Sequence, residues 1–375
     1  MRSRVLAVVA VLPVALAACG STHAGSANAA KKSSSLTPQE ALQAAETAFS
    51  KITALKATLH VTSTPEAFTK LTEVDPAPGD TPPTPAQAAA VVGGSFTLTE
   101  VAPAGKTLFA GGSTPASGDP AELFNQIFDS TLDFTFSLAG TPAASFRVAG
   151  GSVFIRADVK KLAALGDDPT AALAAVNGVG TNRSIPAALR PVLTEAVAGD
   201  WLTIAKADIT RIESLAASAL KGIPDLTKNE ALGASLGPVL EKDVLALLQK
   251  DVTVTRLSSS DAGDVLHLTA ALQTIATDGL ALLKKDLPAT LNKDLPAAAT
   301  GVPAKTIAAD VTLVDGQLSK ITVDLKPYLG PKELAAVGDA PLAIVVDLAT
   351  SGVSVDVPSD AKTVDVFGLF GSLGG

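Results

Sequence analysis

Apolar residues recur along this chain with two different periods. In Thr131-Leu132-Asp133-Phe134-Thr135-Phe136-Ser137-Leu138 every second residue is apolar, the pattern of a strand with one buried face. Similar extended segments are predicted at 57–63, 94–100, 106–110, 146–148, 153–157, 200–204, 251–257, 265–272, 305–314, 318–325, 342–349 and 353–357. Turn residues separate several of them: Gly150-Gly151, Asp315-Gly316 and Thr350-Ser351-Gly352 each read as hairpin connections. The helical period appears behind Thr37-Pro38-Gln39-Glu40, a capping box with proline at the first helical position. There Leu42, Ala45, Phe49 and Ile52 make one apolar stripe. Further stripes are Ile209, Ile212, Leu215 and Ala219, then Val239, Leu240, Val244, Leu247 and Leu248, with a helix from Ser184-Pro186 to Gly199 and a helical patch ending at Leu287. The run Pro76 to Pro85 reads as a surface loop. No composition-shifted linker divides residues 37–366. The predicted fold class is therefore α+β: one domain, residues 36–366, built on a single large curved antiparallel sheet roofed by helices. The Gly/Phe tail at 367–375 has no period.

The first residues follow another logic. Met1-Arg2-Ser3-Arg4 precedes an apolar run from Val5 to Ala15, and then Leu16-Ala17-Ala18-Cys19. A charged, apolar, small-residue order is an export signal, and the run is shorter than the roughly 20 apolar residues that span a bilayer. Cys19 is the only cysteine, placed where a bacterial lipobox attaches a lipid after cleavage of residues 1–18. Residues 19–35 are small and polar and read as a lipidated flexible tether with an rms reach of roughly 20–24 Å. The expected location is the extracytoplasmic face of the cell membrane, with membrane contact through the N-terminal lipid anchor.

Lipidation of Cys19 leaves the mature chain without a thiol, which excludes disulfides, cysteine metal sites and cysteine nucleophiles. The formal net charge of -8 becomes about -10 when Arg2 and Arg4 leave with the leader, so no basic surface for nucleic acid is expected. Gly233-Ala234-Ser235-Leu236-Gly237 fits the serine elbow of esterases, followed by Asp261, Asp264 and His267. Its flanks read as helix rather than as a buried strand, and the surrounding sheet reads as antiparallel. We therefore expect no catalytic residue, no metal site and no cofactor. His60 and His267 sit on predicted strands without metal-ligand spacing.

One strand face collects Leu132, Phe134, Phe136, Leu138, Val153, Ile155, Leu266, Leu268, Ile321, Val323, Leu325, Ile344 and Val346. Ala-rich helices would roof such a face with room to spare for a hydrophobic ligand. The segments LTPQEALQAAETAFSKI, KATLHVT, FRVAGGSVFIRAD, GDWLTI, ADVTLVDGQLSKITVDL and VSVDVPSDAKTVDV occur behind the lipobox in that order. Together they resemble the LolA/LppX-like lipoproteins (LppX/LprG type) of high-GC Gram-positive bacteria. The resemblance implies a half-barrel sheet roofed by helices, a hydrophobic cavity between them, and binding or carriage of a lipid. The cavity candidates are Leu132, Phe134, Phe136, Leu138, Val153, Ile155, Leu266, Ile321, Val323 and Ile344. The alternative reading is a non-catalytic envelope module that binds another protein.

Overall fold

A computed structural model describes residues 35–74, 82–108, 131–163, 168–182, 189–211, 250–260, 262–286 and 305–368, with a few single positions between them. Cys19, the elbow around Ser235, and the stripes at 212–219 and 239–248 lie outside the described residues.

The elements in chain order are α1 (Pro38–Phe49), β1 (Ala54–Thr62), α2 (Pro65–Glu73), α3 (Pro85–Val92), β2 (Ser95–Val101), β3 (Thr131–Leu138), β4 (Thr141–Ala149) and β5 (Ser152–Ala157). Then come α4 (Val159–Ala163), α5 (Pro169–Asn177), α6 (Leu189–Ala198), β6 (Leu202–Ile204), β7 (Val252–Ser260), β8 (Gly263–Ala271) and α7 (Leu272–Asp286). The chain continues with β9 (Thr306–Val314), β10 (Gln317–Asp324), a 3₁₀ turn (Lys326–Tyr328), α8 (Pro331–Val337), β11 (Ala343–Ala349) and β12 (Lys362–Thr363). The strands form one open 12-stranded sheet, ordered β12-β6-β5-β4-β3-β2-β1-β11-β10-β9-β8-β7. The architecture is α+β. The sheet consists of two meanders, β1–β6 and β7–β11, joined along the pair β1 and β11.

Four helices start with the same device. Thr37, Thr64, Thr84 and Asp168 each accept a hydrogen bond from a first-turn backbone N–H, and each is followed by proline. The proline supplies a preset φ and lacks an N–H that would have no partner there. Thr84 and Gln87 close a reciprocal capping box, so Pro85 opens a helix instead of ending a loop. Asp315-Gly316 turns β9 into β10 with both residues at positive φ, +52° and +74°, as a two-residue hairpin turn requires.

Three expectations need correction. The sheet is mixed, because β12 pairs with β6 in parallel. Residues 353–357 are not a hairpin partner of β11, which instead pairs with β1 and β10. The alternating VSVDV segment belongs to a strap from Ala349 to Lys362 that crosses the sheet. In addition, residues 106–108 are not strand; the rest of that predicted segment lies outside the described residues. β11 and β12 are seven strand spacings apart, about 34 Å on a flat sheet. Thirteen residue steps reach about 44 Å at full extension, enough to span that distance with some slack. Within the strap, residues 353–358 run without ladder partners. The Arg147 guanidinium donates to the Asp356 carbonyl midway, and the Lys362 and Val364 N–H groups donate to Trp201 and Thr203.

The register gives the sheet two unlike faces. One carries Thr58 bonded to Thr97, Thr135 bonded to Ser145, and Arg147 paired with Asp133. It also carries His60 and Lys320 beside Asp347, and His267 Nδ1 2.6 Å from Asp310 Oδ1. The strap crosses this polar face. The other face is apolar. Its β7–β11 half, together with Leu55 of β1, closes on α1 in a core of Ala41, Ala45, Phe49, Leu266, Val311 and Leu313 with their neighbours.

Candidate apolar ligand surface

The apolar face is covered unevenly. Beneath α1, Leu266, Ile321 and Ile344 are buried in the core cluster, and a cavity lined by Phe49, Ile52 and Leu318 holds only about 10 Å³, the room of a single water. These three candidate residues are packed interior. Val323 is buried as well, as is Leu138 at the end of β3. On the other half, Val153 packs with Val148 and Ile209, with Leu132 against them. Ile209 brings the helical residues 206–211 onto this face.

One residue pair along the same strands from this second covered zone lies a row of large apolar side chains in contact with solvent. Cross-strand pairing sets Leu98, Phe134, Phe146, Ile155 and Leu202 side by side on β2 through β6. Phe96 and Phe136 form the adjoining pair on β2 and β3. Their rings stack with centroids 4.7 Å apart, and Phe96 lies 6.0 Å from Phe134. Phe96, Phe134, Phe146 and Ile155 are 38–44% exposed. At roughly 150–250 Å² per large side chain, the four leave about 300 Å² of apolar surface in water. A patch of that size is at the scale of functional surfaces on soluble proteins.

Of the ten candidates, Phe134, Phe136 and Ile155 therefore lie on the exposed row or its adjoining pair. Leu132 and Val153 form its buried margin. Leu266, Ile321, Val323 and Ile344 lie on strands of the other half. Sequence reasoning missed Phe96, Leu98, Phe146 and Leu202, although the alternation of 94–100 contained the first two.

Across β1–β11 the apolar face carries three charged residues. Arg256 and Asp264 approach each other, Nη2 to Oδ2 at 3.8 Å. The third, Glu100, sits between Leu55 and Leu132 in the register and has no hydrogen-bond or ion-pair partner among the described residues. Burial pushes its carboxyl above the ordinary value. Glu46, on the flank of α1, is pushed by burial from 4.5 to about 7. Its folded value exceeds its unfolded value, so the folded chain holds an extra proton between those limits. Stability is then highest below about pH 4.5 as far as this group is concerned, and falls as pH rises towards 7. After allowance for partial solvent screening the loss is about 1–2 kcal/mol. Urea titrations should show this decline in the parent chain and its disappearance in Glu46→Gln.

Of the serine-elbow partners, Ser235 and Asp261 lie outside the described residues, and the other two lie on opposite faces of the sheet. Asp264 lies on the apolar face with Arg256, whereas His267 is on the polar face, bonded to Asp310. No group of three or more His, Cys, Asp or Glu that could hold a metal occurs among the described residues. No helix among them is long and apolar enough to cross a membrane.

No protein-family model and no curated protein sequence matches this chain. The chain is similar to one solved structure, the crystal structure of Mycobacterium tuberculosis lipoprotein LppX. The match covers 85% of this chain and 98% of that one, at 9% identity and a TM-score of 0.28.

Proposed function

We propose that this protein is an extracytoplasmic lipoprotein, anchored through Cys19, that binds a lipid or another hydrophobic ligand on the apolar face of β2–β6. The observation that supports the reading is the solvent-exposed row Phe134, Phe146 and Ile155 with Phe96, on a sheet whose other apolar half is closed by α1. Covering about 300 Å² of such surface yields about 7 kcal/mol before the cost of immobilising the ligand. That is enough for a reversible ligand and too little for a permanent one. The tether would hold this face within reach of a bilayer, where hydrophobic ligands are concentrated.

Mass spectrometry of the gently purified full chain should release bound lipid. In the double variant Phe134→Ser/Phe146→Ser the recovered lipid should fall at least about tenfold. Stability should drop by only about 1 kcal/mol per substitution, because both rings are already partly in water. An empty parent protein, or equal lipid recovery from the variant, would overturn the reading.

A further inference from the structure

Glu100 is the feature of the apolar face that packing does not explain. Its strand neighbour on that face is Leu98, and its cross-strand neighbours are Leu55 and Leu132. The side chain is half-buried and raised in pKa by burial, with no partner among the described residues. A carboxylate set among apolar side chains with no protein partner is the informative exception on such a face. A leucine at this position would continue the row without cost.

The location supplies the reason. Leu132 and Leu98 place Glu100 one residue pair from Phe134, at the margin of the exposed row. No cation from β1–β6 shares this side of the sheet. Lys362 of β12 pairs beside Leu202, five strand spacings away, or about 24 Å on a flat sheet.

Building on the proposed ligand surface, we infer that Glu100 receives the polar end of the ligand. The ligand is then an amphiphile whose head group donates a hydrogen bond, a hydroxyl or an ammonium, while its chain lies across β3–β5 on Phe134, Phe146 and Ile155. A carboxylate or phosphate head is disfavoured, because it brings a second negative charge beside Glu100, and no cation of strands β1–β6 lies on this side of the sheet to offset it. Such a charge-assisted bond in a half-buried site is worth about tenfold or more in affinity.

The test uses the full chain at pH 8 with Nile red as reporter, displaced by oleylamine, oleyl alcohol or oleate. The amine and the alcohol should displace the dye at concentrations about tenfold below that needed for oleate. In Glu100→Gln and Glu100→Leu the dye should still bind and the preference should shrink to less than threefold. Equal displacement by oleate in the parent, or a preference that survives both substitutions, would overturn the role of Glu100 while leaving the ligand surface standing. Dye binding that is absent, or unaffected by Phe134→Ser/Phe146→Ser, would overturn the surface and the inference together.

Discussion

Alanine in place of Gly263 should destabilise the fold by about 3 kcal/mol or more, although it adds one methyl group. Gly263 opens β8 with φ at +124°, and an added Cβ would lie 2.4 Å from the carbonyl oxygen of Leu313 and 3.2 Å from its carbonyl carbon. Both atoms are backbone of β9, which pairs with β8 on one side and β10 on the other. No side-chain rotation can relieve the overlap. Leu313 is itself fully buried in the cluster beneath α1, so a shift of β9 would open the core as well. Gly316 provides the control. Its φ is +74°, but a Cβ there meets nothing within 4 Å, so Gly316→Ala should cost only about 1 kcal/mol for the left-handed backbone. Urea midpoints of the two variants should differ in that order; equal midpoints would refute the close approach of Gly263 to β9.

Asp264→Ala should cost about 3 kcal/mol, again measured by urea unfolding. Asp264 is 2% exposed and faces Arg256, whose Nη2 donates to the Leu36 carbonyl at 3.0 Å. The guanidinium thus joins the residue before the α1 cap to strand β8. Removing the carboxylate takes one counter-charge from a largely buried guanidinium, and the desolvation that it then no longer offsets dominates the loss. The pair itself contributes little net stability, since taking two charges out of water nearly offsets their attraction. The double variant Asp264→Leu/Arg256→Met should therefore recover most of what Asp264→Ala loses. Failure to recover would mean that the pair, rather than the stranded charge, carries the energy.

Local chemistry made much of this fold legible. Alternation marked β3 at its true limits, Gly150-Gly151 and Asp315-Gly316 marked two hairpins, and Thr37-Pro38 marked the start of α1. The same Thr-Pro signal stands at Thr64-Pro65 and Thr84-Pro85, and it opens α2 and α3 within a stretch that otherwise looks irregular. Partner choice was not legible. Leu59 pairs with Val346 across most of the chain, and nothing in either segment names the other. The VSVDV run shows the limit of alternation as a signal. It pairs with no strand and belongs to the segment that crosses them. The candidate surface was legible in kind, since Phe134 and Ile155 were on the apolar side by phase alone. Which apolar residues are covered depends on where α1 and residues 206–211 rest, and that is a tertiary outcome. Glu100 was visible as a carboxylate in phase with Phe96 and Leu98; its meaning needed the register.

The strap gives the two meanders a common fate. It leaves β11, passes over β1 and ends beside β6, so it bridges the seam where the meanders meet. Pairing of β1 with β11 joins residues far apart in sequence and carries a large loop-closure entropy, which makes it a late and slow event in folding. The strap reaches β6 by crossing that seam. Once seated, it ties opening of the seam to release of β12. Partial opening of one meander, the kind of sub-global fluctuation that exposes an apolar face to other chains, then requires the loss of two separate attachments rather than one. For a domain whose β2–β6 row already leaves about 300 Å² of apolar surface in water, a clasp across the β1–β11 seam limits how much more an opening would expose.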